Sequence, residues 1–280
     1  MVYKLGKLIG KGSDGVVYEL LGENGGNQVI KFIQGDLFGI KNYIEYYIFS
    51  NLDERYVTKS RKIEIDEDGL IKIIFDKAHM DLKDYIQKNR LSKKKKKRIM
   101  IKLLIGLEYL QSFNIIHGDI KPSNILVFPG NDIKYTDFNL SCIYLKDIEL
   151  KKKLYTMTYR PPEIIEKKIS LKSDIWALGC TFFEIYYGYE YFNYSKDKKF
   201  YHIKNSSENK EENKVFNDLI RNMICIDQIK RFTIEDIKKH EYFSDLKFLD
   251  KFEKKNTMKK ENFTNILRSN FKNYNIKTEI

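Results

Sequence analysis

Residues 115–140 read IIHGDIKPSNILVFPGNDIKYTDFNL. Asp119 can accept a proton from a hydroxyl. Lys121, two residues on, can neutralise charge on a transferring phosphate. Asn124 offers an amide oxygen to a hard cation, and Asp137 offers a carboxylate. Oxygen ligands of this kind suit Mg²⁺, which keeps several waters and takes one or two carboxylates together with substrate phosphates. An H-x-D triplet alone reads as a polar turn between two buried strands. Here it is joined by a Lys at plus two, an Asn at plus five and an Asp-Phe pair eighteen residues on.

The segment HGDIKPSN (Asp119, Asn124) resembles the eukaryotic protein-kinase catalytic loop, H-R-D-x-x-x-x-N, and DFN (Asp137, Phe138, Asn139) resembles the D-F-G that follows it. Upstream, YKLGKLIGKGSDGVVYELLG (3–22) places Gly10, Gly12 and Gly15 between two alternating apolar runs, which predicts a strand, a tight loop and a strand. Glycines let backbone amides approach and cover phosphate oxygens. A G-x-G-x-x-G between two strands fits a kinase loop better than a dinucleotide fingerprint, which runs from strand to helix. The resemblance adds Lys11, Val17, Val29 and Leu126 to the nucleotide-binding set.

Lys31 is a charge inside QVIKFI, a run that otherwise reads as a buried strand. A buried ammonium needs an anionic partner. The resemblance implies nucleotide phosphates and a Glu from the following helix. Residues 37–52 have helical spacing, with Ile40, Tyr43, Ile44, Tyr47 and Ile48 on one side, and Glu45 is the acid within it. Glu45 is therefore assigned to Lys31, a surface carboxylate being the alternative. Residues 62–75 predict a hairpin with a turn at Asp66 to Gly69. The resemblance places Phe75 behind an adenine pocket, makes Asp76, Lys77 and Ala78 the hinge, and sets Asp81 near the ribose.

From residue 82 to about 112 the pattern is helical, with Ser92 as a cap for the second helix. Lys93 to Lys97 carry the unfavourable sign for a helix N-terminus. They read as a solvated basic face, or alternatively as a docking surface or nuclear signal. After DFN, residues 141–158 read as a loop, with Lys146 and Lys151 to Lys153. TMTYRPPE then resembles A-P-E, with Glu163 expected to pair with Arg231, and Thr156 matches the Thr that bonds the catalytic Asp and Lys in Ser/Thr kinases. Tyr159-Arg160 is similar to the group of cyclin-dependent and MAP kinases. SLKSDIWALGCTFFEIYY (170–187) reads as a capped helix buried all round, in which Asp174 matches the Asp that orients the catalytic loop. Residues 193–214 read as loop, and helix resumes to HEYF at 240–243.

The 280 residues, 42% of them hydrophobic, suffice for two lobes with a sizeable core. No apolar run approaches the roughly 18 residues of a membrane span. MVYKLGKLIGKG lacks a secretory signal's apolar core and cleavage site. Cys142, Cys180 and Cys225 are odd in number and scattered, which fits neither a disulfide framework nor a zinc cluster. An intracellular protein, cytoplasmic or nuclear, is expected. Cys142 reads as a small core residue, with a thiol open to electrophiles as the alternative. The net charge of +12 comes mostly from lysine; part of it matches an AT-rich coding bias, and the rest favours acidic partners. No dedicated nucleic-acid motif is present, so specific nucleic-acid binding is not expected.

The resemblance spans residues 3–243. It implies an α+β, bilobal fold: a small antiparallel-sheet lobe with one helix (about 1–77), a larger helical lobe (about 78–243) and a basic tail (244–280). The implied activity is transfer of the γ-phosphoryl of Mg-ATP to a protein Ser or Thr hydroxyl. Asp119, Lys121, Lys31, Glu45 and Thr156 would be catalytic, and Asn124 and Asp137 would hold Mg²⁺. An activating subunit is possible but carries no signature in the helix around Glu45. Two positions depart from the family. Gly118 replaces the Arg that helps bind a phosphorylated loop, so activity is expected without strict loop phosphorylation. Asn139 replaces the Gly of D-F-G, which should restrict the flip of Asp137 and Phe138. The competing class is a pseudokinase, a nucleotide-binding scaffold; survival of Lys31, Asp119, Asn124 and Asp137 argues for the enzyme. A polyanion-binding protein rests on charge alone.

Overall fold

The computed structural model describes residues 3–12, 15–22, 27–34, 40–144, 154–166, 168–194, 200–202 and 213–244. The lysines at 146 and 151–153, the loop residues 195–199 and 203–212 and the tail from 245 lie outside the described residues. So do residues 37–39, and the described helix begins at Ile40.

The chain divides into two compact units. The first is Met1–Gly106 with Asp119–Cys142, and the second is Leu107–Gly118 with Ile143–Ile280. In the first unit, β1 (Lys4–Gly12), β2 (Gly15–Leu21), β3 (Gln28–Gln34), β4 (Ser60–Ile65) and β5 (Leu70–Asp76) form an antiparallel sheet in the order β1-β2-β3-β5-β4. The β4–β5 turn uses the expected residues. Asp66 accepts from the amides of Asp68 and Leu70, and Gly69 takes the left-handed conformation at φ 77°.

The helix α1 (Ile40–Asn51) buries Ile44, Glu45, Ile48 and Phe49. That is the i, i+1, i+4, i+5 stripe of an amphipathic helix laid on a sheet. Phe49 meets Phe75 edge to face at 4.8 Å. The helical run from 82 is two helices, α2 (Leu82–Lys88) and α3 (Lys93–Ser112). Asp81 caps α2 by accepting from the Asp84 amide at 2.8 Å, and Ser92 accepts from the Lys95 amide at 3.3 Å. Capping at each start satisfies amides that have no partner within the helix. Also in this unit, β6 (Met80–Asp81), β8 (Ile125–Phe128) and β9 (Asp132–Tyr135) form a small sheet that holds the quoted segment. The two-residue strands β7 (Ile115–Ile116) and β10 (Cys142–Ile143) pair with each other.

The second unit is built on α4 (Leu171–Tyr187), which is buried from Ser173 to Ile185. Ser170 and Ser173 form a reciprocal cap at its start, and Gly188 ends it at φ 87°. The helices α5 (Lys214–Met223) and α6 (Ile234–Lys239) follow. The expectation of unbroken loop over 193–214 needs correction. Backbone pairing joins β11 (Phe192–Tyr194) to β12 (Phe200–His202), and α5 starts at Lys214. Three-residue strands are too short to carry an alternation that a sequence would reveal.

Candidate active site

The first unit gathers most of the expected site residues. Lys31 lies on β3 directly opposite Val17 of β2 and Ile73 of β5. Side chains of opposed residues share a face, and so do alternate residues of one strand. Val17, Val29, Lys31, Ile73 and Phe75 therefore line one surface. From α1, Glu45 reaches that surface and accepts from Lys31 Nζ at 2.8 Å. The side chains are 14% and 4% exposed, so the pair satisfies two charges that burial would otherwise penalise. Lys31 Nζ also lies 3.9 Å from Asp137 Oδ1.

Asp137 is placed by what precedes and follows it. The Tyr135 amide donates to Tyr56 O at 2.8 Å, and Tyr135 O accepts from the Thr58 amide at 2.9 Å. The Thr136 amide donates to Asn124 O at 3.1 Å. Asp137 itself takes φ 61°, and its side chain is 36% exposed. Phe138 is fully buried, edge to face with Phe49 at 5.5 Å. Asn139 is buried beside it.

Asp119 is buried and accepts at Oδ2 from Lys121 Nζ at 2.7 Å and from Asn124 Nδ2 at 2.9 Å. Asn124 Nδ2 also donates to Asp119 O at 3.0 Å. These bonds orient the Asn124 amide and commit its nitrogen to Asp119, which leaves Oδ1 as the atom that can serve a cation. Asn124 Oδ1 and the half-exposed Asp137 carboxylate are both hard oxygen donors. Such a set fits Mg²⁺ that completes its shell with phosphate and water. Among the described residues no cluster of three or more His, Cys, Asp or Glu offers an all-protein metal cage.

The glycine-rich turn separates into two kinds of position. Among the described residues, a Cβ on Gly10 or Gly12 would meet nothing within 4 Å. At Gly15, with φ 142°, it would lie 2.1 Å from the Phe32 carbonyl oxygen. Gly15 is thus required by the approach of β2 to β3, whereas the space over Gly10 and Gly12 is open among the described residues. Lys11 pairs with Val16 in the register of this hairpin. At the expected hinge, the Lys77 amide donates to Asn27 O and the His79 amide to Val127 O, each at 2.9 Å. Asp76 also pairs through its carboxylate with Arg61. Ala78 lies between those two anchored amides. Asp81 is the cap of α2, and Leu126 faces Asp81 across the β6–β8 pair.

Thr156 belongs to the second unit, ahead of a 3-10 turn at Met157–Tyr159. In the same unit Glu163 and Arg231 make the expected pair, with bonds of 2.7 and 2.9 Å. Asp174 accepts from the amides of His117 at 2.7 Å and Gly118 at 3.2 Å. Burial holds the Asp174 carboxyl above its ordinary range, and His117 and these donors offset only part of that rise. Two further bonds gave no sequence signal. Tyr155 donates its hydroxyl to Asp174, and Tyr159 donates its own to Glu184 at 2.5 Å. Neither partner lies close in the chain, so no local pattern announces the bond.

A five-stranded sheet bearing a lysine–glutamate pair, an aspartate–lysine–asparagine cluster in the same unit and a second, helical unit are the parts of a protein kinase. A chain in the crystal structure of the yeast RNA Pol II CTD kinase CTDK-1 complex shares this fold, with a TM-score of 0.69. It is 24% identical, and the match covers 81% of this chain and 89% of that one. Residues 3–243 match the family model for the protein kinase domain, and the chain belongs to that family.

Its relatives place it in the serine/threonine class that includes the cyclin-dependent kinases. A probable cell division protein kinase of Encephalitozoon cuniculi is 31% identical over 190 residues, covering 65% of this chain and 71% of that protein. Cyclin-dependent kinase 4 of Xenopus laevis is 34% identical over 125 residues, 43% of this chain and 39% of that protein. Cyclin-dependent kinase 8 of Caenorhabditis elegans is 28% identical over 207 residues, 64% of this chain and 35% of that protein. The chain thus spans well under half the length of the latter two. No described helix is long and apolar enough to cross a membrane.

Proposed function

We propose that the chain is an active kinase that transfers the γ-phosphoryl of ATP to Ser or Thr hydroxyls of protein substrates. The observation that carries this is the joint presence of Lys31 on Glu45 at 2.8 Å and Asp119 bonded to Lys121 and Asn124. Asp119 takes the proton from the acceptor hydroxyl as that oxygen bonds to the γ-phosphorus. The bond from this phosphorus to the bridging oxygen breaks, and ADP leaves. Lys31, held by Glu45, orients the α- and β-phosphates, and Lys121 offsets charge on the transferring group. Thr156 stands where the family has the Thr that serves its catalytic Asp and Lys. Asn124 and Asp137 would hold Mg²⁺, which when bound neutralises phosphate charge. The open space over Gly10 and Gly12 suits amides that cover phosphates, with Lys11 between them. Val17, Val29 and Leu126 contact the purine, Asp76 and Ala78 bond its edge, and Asp81 meets the ribose. The catalytic domain is residues 1–243, in lobes of 1–77 and 78–243, acting in cytoplasm or nucleus.

Loop phosphorylation is not strictly required in this reading. Gly118 stands where the family has an Arg, so a loop phosphate lacks one bidentate partner. Relatives named cyclin-dependent make a cyclin-type subunit the partner to test first.

The test is transfer from labelled ATP with Mg²⁺ to a generic basic protein, with phosphatase-treated wild type beside Asp119→Ala. Incorporation by wild type and its loss in the variant is the expected result. A wild type that binds nucleotide yet transfers nothing, with or without a cyclin-type subunit, would establish the scaffold instead. Activity that returns only after phosphorylation at Thr158 would remove the claim about the loop.

A further inference from the structure

Tyr155 precedes Thr156 in the second unit and is held in an unusual way. Its φ is +62°, a left-handed conformation that a side chain with a Cβ rarely adopts. Such a residue persists where its surroundings over-determine it. Here the surroundings are specific. The Tyr155 amide donates to Gly118 O at 2.7 Å. Its carbonyl accepts from Arg160 Nη2 at 2.7 Å and Nε at 3.1 Å. Its ring is buried, and its hydroxyl donates to Asp174 Oδ1 at 2.8 Å. That same carboxylate, fully buried, accepts the amides of His117 and Gly118.

Gly118 is therefore gripped on both of its peptide groups. Its amide goes to Asp174, and its carbonyl takes the Tyr155 amide. Gly118 has φ 79° and is bonded directly to Asp119. A rotation at Gly118 would swing the Asp119 carboxylate, and displacements of about 1 Å near a reacting atom can cost about a hundredfold in rate.

We propose that Tyr155 is a positioning residue for phosphoryl transfer, its hydroxyl on Asp174 and its amide on Gly118 O together fixing the turn that carries Asp119, with no loop phosphate needed. This rests on the reading of the chain as an active kinase. It supplies that reading with a device: a neutral phenol donor, built into the chain, ties the segment before Thr156 to the catalytic turn. A guanidinium at position 118 would serve this purpose only after a phosphate was added.

The experiment compares phosphatase-treated wild type with Tyr155→Phe, which keeps the ring and removes only the hydroxyl. Three quantities are read: kcat and KM for ATP and a basic protein substrate, the melting temperature, and amide exchange of the peptide containing His117 and Gly118. The expected result is kcat lower by roughly tenfold, both KM values within about twofold, a fold that still melts cooperatively, and faster exchange at His117 and Gly118. Unchanged kcat and exchange would overturn the tether and leave the kinase reading intact. A lower melting temperature with kcat per folded molecule unchanged would also overturn it, since Tyr155 would then be structural only. If the variant does not fold, wild type decides. Rapid exchange of the Gly118 and Tyr155 amides in the phosphate-free protein overturns the tether, and protection matching the α4 core supports it. A wild type with no transfer activity sinks the kinase reading and the catalytic role together, even where exchange still reports a bond.

Discussion

Arg231 and Glu163 stand 68 residues apart in sequence and face each other through two parallel bonds, Nη1 to Oε1 at 2.7 Å and Nη2 to Oε2 at 2.9 Å. The Arg231 side chain is fully buried. Two more of its donors are met by Cys225 O at 2.9 Å and Lys172 O at 2.9 Å, and Ser173 Oγ adds a bond to Glu163 Oε1. The pair thus closes the segment after the 3-10 turn onto the start of α4 with its charges satisfied.

Breaking one partner should be costly, because the other charge stays buried without its counter-ion. Glu163→Gln is expected to destabilise the protein by about 3 kcal/mol. That corresponds to a fall in Tm of roughly 6–12 °C. A thermal melt within about 2 °C of wild type would show that the ion pair contributes little to the fold.

Tyr159 gives a pH signature. Burial, followed by the Glu184 carboxylate, holds its phenol well above the ordinary tyrosine range. The folded protein therefore keeps this proton where the unfolded chain releases it. The stabilisation is complete below about pH 10 and declines above it. Tyr159→Phe should cost about 1.5–3 kcal/mol at neutral pH. The gap from wild type should narrow as pH rises past about 10. Urea titrations of both proteins at several pH values would show it, and a gap that widens with alkali would contradict the assignment.

The two kinds of glycine in the turn can be told apart. Gly15→Ala forces a Cβ against the Phe32 carbonyl oxygen at a positive φ and should destabilise by about 2 kcal/mol or more. Gly12→Ala meets open space and should change stability by less than about 1 kcal/mol. Equal denaturation midpoints for the two variants would show that β2 and β3 do not approach as described.

The cysteines should react in a fixed order. Cys180 is buried in α4, and burial with the nearby Glu184 carboxylate pushes its thiol up. Cys142 and Cys225 are partly exposed. A colorimetric thiol reagent on native protein should modify those two first and reach Cys180 only on unfolding. Rapid reaction of all three thiols would contradict the burial of Cys180. Cys142 is partly exposed, and its rate of reaction decides between its two sequence readings.

Much of this protein is legible one short stretch at a time. Lys31 in an apolar strand demands an acid, and the single acid of the following helix, Glu45, supplies it. Ser92 and Ser170 announce helix starts, Asp66 to Gly69 a turn, and HGDIKPSN with DFN a spaced set of proton acceptor, cation and oxygen ligands. These are local statements: the chemistry lies in the residue type, and the spacing is fixed by the chain. Tertiary structure decided the rest. It gave Gly15 a backbone neighbour from β3, paired two three-residue strands within a polar stretch, and brought the Tyr155 hydroxyl onto Asp174. None of these is encoded by period or motif, because each depends on which distant surfaces meet once the apolar faces are buried. A left-handed tyrosine is unfavourable by local preference, and bonds to Gly118 and Asp174 help hold it there.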